Sequence, residues 1–243
     1  MATTVRSIQK QLQSLANAGD AAILRRFFKT GPGEYGEGDR FIGIKVPPMR
    51  TAAKANLDLP VGEVPKLLES PIHEHRSVGL MIWVMQFEKG DQMLRKQVHD
   101  LYLANTGGIN NWDLVDLSCP TIVGSWLLDR NHSPLRKLAK SESLWERRIA
   151  VVSTQTFIRH GRFDTTLDLC RQLMADKHDL MHKACGWMLR EIYKRDVDVA
   201  LRFIEQHAAK LPRTTLRYAI ERCEPAERSR LMKIGLPDRP RSK

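Results

Sequence analysis

The chain has little cysteine. It carries four thiols in 243 residues, Cys119, Cys170, Cys185 and Cys223, and no two form a C-x-x-C pair. That spacing suits neither a zinc ribbon nor a dithiol redox centre, and 42% hydrophobic residues can build a core without disulfides, so buried, reduced thiols are expected. Long apolar runs are also missing. Nowhere do about 18 apolar residues follow one another, as a membrane helix would need. The opening MATTVRSIQKQLQSLANAG has no apolar stretch of signal-peptide length, which fits a soluble, cytoplasmic protein. Alternating strand patterns are nearly absent, and so are a P-loop, a G-x-S-x-G elbow and any Cys/His pairing suited to a nucleophile. The histidines offer no metal set: His73 and His75 lack further ligands nearby, and His178 and His182 lack a third and fourth partner. Neither a metal nor an organic cofactor is expected.

Acidic residues are outnumbered. Twenty-eight of them face 39 basic ones, giving a net charge of +11 and attraction to nucleic acid, an anionic membrane or an acidic protein. The apolar pattern of most segments is helical, with N-terminal signals at Ser70-Pro71, Ser133-Pro134 and the Ser143–Glu146 capping box. Five segments that begin with a charged residue recur along the chain. With Arg76, Asp113, Arg148, Lys183 and Arg217 as markers, the steps are 37, 35, 35 and 34 residues. One helical hairpin per step predicts an all-α superhelical solenoid of HEAT-like repeats, a single domain over 1–234 with a short, basic, disordered tail at 235–243. Gly31-Pro32-Gly33-Glu34-Tyr35-Gly36 satisfies G-x-G-x-x-G in letter, but no strand precedes it and no βαβ unit surrounds it. It reads as a turn-forming loop between helices.

In NNWDLVDLSCP, Trp112 and Asp116 are four residues apart and share a helical face, while Asp113 points about 100° away and suits the helix N-terminus. Leu114, Val115 and Leu117 are free to face a core, and Pro120 restricts how the helix continues. Further on, Lys183, Trp187, Arg190 and Lys194 form a basic and aromatic stripe, opposite an apolar face of Met181, Ala184, Met188 and Ile192. Ala184 and Gly186 permit close packing there. A similar row, Arg148, Val152, Gln155 and Arg159, is expected on the preceding repeat. Cations for phosphates and planar rings for sugars or bases are what a nucleic acid requires. Trp83, in GLMIWVM, is expected in the core.

WDLVD followed by CPTIVG, then LWERRIAVV, then KACGWMLREI resemble, in that order and at those intervals, the AlkD-type alkylpurine glycosylases of the DNA alkylation repair family. The resemblance covers roughly residues 20 to 225, and FIGIKVP is similar to the family's N-terminal signature. It implies a crescent of HEAT-like repeats holding duplex DNA on a basic concave face. It further implies a catalytic aspartate at Asp116, sugar-contacting tryptophans at Trp112 and Trp187, and an active-site arginine at Arg148. Phe27 and Lys45 match N-terminal positions near DNA, and Arg190, Lys183, Arg159 and Lys194 are the further DNA-binding candidates. The implied reaction is monofunctional excision of cationic N3- or N7-alkylated purines from duplex DNA in base excision repair, without insertion of the base into a protein pocket. The protein would act as a monomer associated with the nucleoid. A non-catalytic HEAT-like nucleic-acid-binding protein is the alternative, and a protein-interaction scaffold is a third reading.

Overall fold

The computed structural model describes residues 3–234, so the expected tail at 235–243 lies outside the described residues. Among the described residues every regular element is helical; the only extended pairing is an isolated parallel bridge between Arg40 and Ile72. All five marker residues lie in helices: His73–Lys89, Trp112–Cys119, Leu144–Val152, Asp179–Tyr193 and Arg213–Ala219. The chain divides into two compact units between Asp129 and Arg130. All four cysteines are buried thiols outside any disulfide, as their spacing suggested.

The first unit is organised around His73–Lys89, which packs against helices Val46–Ala55, Pro65–Leu68, Gln92–Ala104 and Trp112–Cys119. Residues 73–83 are buried on all sides, so this helix lacks the single apolar stripe of a surface helix. Its first turn is nonetheless charged, and each buried polar group therefore needs a partner. Glu74 finds three, accepting from the amides of Ile42, Gly43 and Ile44 at 2.8 to 3.2 Å. His75 is bonded through Nδ1 to Ser70 Oγ at 2.9 Å. Trp83 is fully buried and donates from Nε1 to the Val61 carbonyl at 3.1 Å, which makes it a core residue, as expected.

The second unit is centred on Asp179–Tyr193, packed against Leu144–Val152, Val197–His207 and, most extensively, Arg213–Ala219. Met181, Ala184, Met188 and Ile192 are all fully buried, the face assigned to them by helical spacing. Gly186 is what allows the Arg213–Ala219 helix its close approach. A Cβ there would lie 2.5 Å from Tyr218 Cβ and 2.6 Å from the Thr215 carbonyl oxygen.

Two of the start signals differ in detail. Ser70 does not cap the His73 helix, whose N-cap is Ile72; its hydroxyl accepts from the Ile72 amide and so shapes the turn before the helix. Ser133 is itself the first helical residue after the N-cap His132, with Pro134 in the first turn as expected. Ser143 does cap, accepting from the Glu146 amide, while its own amide donates to Ser141 Oγ.

Candidate functional site

The Trp112–Cys119 helix is set by Asn111, a buried N-cap whose Oδ1 accepts from the Trp112 amide at 2.8 Å and whose Nδ2 donates to Asp39 Oδ2 at 3.2 Å. The helix buries Leu114 and Val115 and leaves Leu117 half-buried. Trp112 and Asp116 are both partly exposed, one helical turn apart on a common face. Pro120 stands four residues after Asp116, where an α-helix would bring an amide to the Asp116 carbonyl. Proline has no N–H, and the chain passes into a wider π turn over Pro120–Gly124.

Trp112 belongs to an aromatic cluster. Its ring stacks on Phe28 with centroids 5.4 Å apart and meets Phe27 edge-on at 5.9 Å. Phe28 stacks in turn on Phe41 at 5.0 Å, and Phe41 on His73 at 4.5 Å. Phe28 and Phe41 are buried, but Phe27 is 61% exposed. An aromatic ring that far into solvent beside a half-exposed indole is suited to meeting a planar ligand. Lys45 is exposed at the start of the Val46–Ala55 helix, within 3.4 Å of Asp20, a separation at which a solvated pair contributes little.

Behind the cluster lies a buried charge network. His73 is bonded through Nε2 to Asp113 Oδ2 at 2.8 Å and through Nδ1 to Asp39 Oδ2 at 3.1 Å, and Arg76 pairs with Asp39 Oδ1. Burial disfavours a charged imidazole, but hydrogen bonds to Asp113 and Asp39 outweigh it and raise His73 to about 9. Burial likewise opposes the Asp39 carboxylate, yet His73 and Arg76 hold it below the usual carboxylate range. Asp113 lies in the first turn, as its sequence reading had it, and also fixes the helix to His73.

In the second unit, Lys183, Trp187 and Arg190 lie on Asp179–Tyr193, with Lys194 as its C-cap. The stripe carries acids as well as bases. Lys183 pairs with Asp179 at 2.7 Å, Arg190 with Glu221 and Lys194 with Glu191 at 2.6 Å, while Trp187 Nε1 donates to Glu191 Oε1 at 3.3 Å. Lys183 and Lys194 keep 40% of their side chains exposed, so their pairs are weak enough to exchange for phosphate. The row expected at Arg148, Val152, Gln155 and Arg159 is not one exposed face. The helix ends at Val152, a separate one starts at Gln155, and Arg148 and Val152 are buried. Arg148 donates from Nη1 to the Leu180 carbonyl at 2.8 Å, and Arg159 is exposed, donating to Gln155.

The family model for the DNA alkylation repair enzyme matches residues 8–223. The chain belongs to this family. A solved structure described as a predicted DNA alkylation repair enzyme from Enterococcus faecalis is similar at a TM-score of 0.67 with 16% sequence identity, covering 86% of this chain and 97% of that one. At that identity the likeness concerns the fold. No curated protein matches the chain. Membership assigns the protein to repair of alkylation damage, and DNA is the partner that this role implies. Among the described residues, no helix is long and apolar enough to cross a membrane.

For this alkylation repair protein, sequence reasoning missed Tyr35, Phe28, Phe41, Asp39 and the pairing of His73. HEHR reads in sequence as an incomplete metal set, whereas a buried helix start with four ionisable side chains does signal that carboxylate or amide partners exist elsewhere. It does not say which ones.

Proposed function

We propose that the protein is a monofunctional DNA glycosylase that releases cationic N3- or N7-alkylated purines from duplex DNA. The observation that carries this reading is the shared, partly exposed face of Trp112 and Asp116 beside the exposed ring of Phe27. Alkylation at N3 or N7 gives the purine a positive charge and makes it a good leaving group, so no strong acid is required to protonate it. As the glycosidic bond lengthens, positive charge moves to the deoxyribose. A carboxylate beside that oxocarbenium-like sugar stabilises it and orients the attacking water, the role assigned to Asp116. Trp112 presents an electron-rich face to the cationic nucleotide, an attraction amounting to about 0.5 to 2 kcal/mol, and in the second unit Trp187 offers an indole face suited to a deoxyribose. In the second unit Arg148 is assigned to a backbone phosphate by the family resemblance, and Lys183, Arg190, Lys194, Arg159 and Lys45 neutralise the backbone.

Excision without drawing the base into a pocket is part of the same proposal. A cavity of about 590 Å³ in the first unit is walled by Glu37, Asp39, Arg76 and Asn110 among others, and neither Trp112 nor Asp116 lines it. The test is release of free base from duplex DNA containing N7-methylguanine. Wild type releases it, and Asp116→Asn is slower by about a hundredfold or more while binding the duplex as before. Unchanged release by Asp116→Asn refutes the role of Asp116. Tight, salt-dependent binding with no release by wild type favours a non-catalytic DNA-binding protein.

A further inference from the structure

The glycine-rich loop that follows the Ala18–Phe27 helix is tied down at several points. Glu34 accepts from the Gly31 amide and Glu37 from the Gly33 amide, each at 2.9 Å. The Gly36 amide donates to the Lys29 carbonyl at 3.1 Å, and a Cβ at Gly36 would lie only 2.3 Å from the Phe28 carbonyl oxygen. Loop and helix end are therefore in backbone contact, and glycine is required there. The result is to carry Tyr35 across 77 positions of sequence to Trp112. The indole Nε1–H donates to the Tyr35 hydroxyl at 3.3 Å, and that hydroxyl lies 3.5 Å from the Phe27 carbonyl.

A tryptophan side chain has two torsions to fix. Stacking on Phe28 sets the plane of the Trp112 ring but leaves rotation within that plane cheap, since dispersion between stacked rings has no directional preference of that kind. The hydrogen bond to Tyr35 supplies the missing direction. We infer that Tyr35 is a positioning residue for Trp112, and that the loop carrying it sets how the indole meets a cationic nucleotide in duplex DNA. The functional half of this inference rests on the glycosylase reading.

Indole-¹⁵N spectra of the full chain test the contact without any activity. The five tryptophans give five indole N–H signals, and Trp112→Phe identifies the one from Trp112. Tyr35→Phe keeps the ring and the fold, and is expected to move that signal and spare the other four; an unmoved Trp112 signal overturns the inference. Single-turnover base release then reads the consequence. Tyr35→Phe should be roughly fivefold slower, the effect of one net hydrogen bond, with unchanged affinity for undamaged duplex. In a Trp112→Phe background the same substitution should have no further effect, and equal slowing in both backgrounds overturns action through Trp112. A Trp112 signal moved by Tyr35→Phe, together with no base release by the wild type, leaves the positioning of Trp112 standing and brings down the glycosylase reading.

Discussion

His73 gives the protein a stability that falls with rising pH in a calculable way. In the unfolded chain its imidazole titrates near 6.5, and in the folded first unit, between Asp39 and Asp113, near 9. A folded value raised above the unfolded one means that the proton is bound more tightly in the native state. The resulting stability is complete below pH 6.5 and is lost as pH rises through 9. At about 1.4 kcal/mol per pH unit, the interval amounts to about 3 kcal/mol, a large share of a typical domain stability. Urea unfolding at pH 6 and pH 10 would measure it, with His73→Gln as the reference chain. Lysines and tyrosines titrate in both proteins and cancel in the comparison. The wild type is expected to lose about 3 kcal/mol more than His73→Gln over that range. The same pH dependence in both proteins would refute the charged, doubly bonded imidazole. On the acid side the sign reverses: the lowered Asp39 contributes stability above about pH 4 that disappears as pH falls through its folded value.

Gly186→Ala sets two effects against each other. The helix gains about 1 kcal/mol of propensity, but the new Cβ meets backbone at Thr215 and must displace it, at about 1 to 3 kcal/mol. A lower thermal midpoint is expected, and a higher one would contradict the close packing. Lys183→Ala and Lys194→Ala should each reduce the slope of log affinity for duplex DNA against log salt by about one; unchanged slopes would remove this stripe from the DNA interface.

The sequence by itself determined what is local. A 3.6-residue apolar period is satisfied within one helix, so the all-α class, the marker helices and the buried face of Met181, Ala184, Met188 and Ile192 could be read from spacing. The shared face of Trp112 and Asp116 followed for the same reason, because four residues is one turn wherever the helix lies. Tertiary structure decided which distant groups meet. Asp39 and His73 are 34 residues apart, His73 and Asp113 are 40, and Tyr35 and Trp112 are 77. No periodicity spans a loop whose path depends on how Gly36 packs against the Phe28 carbonyl. Burial was decided in the same way: Arg148 looked like the head of an exposed basic row, and the break between Val152 and Gln155 together with the Leu180 carbonyl drew it inside. Helix geometry is encoded by neighbours in sequence, whereas a buried charge is held by whichever partner the packed chain brings to it.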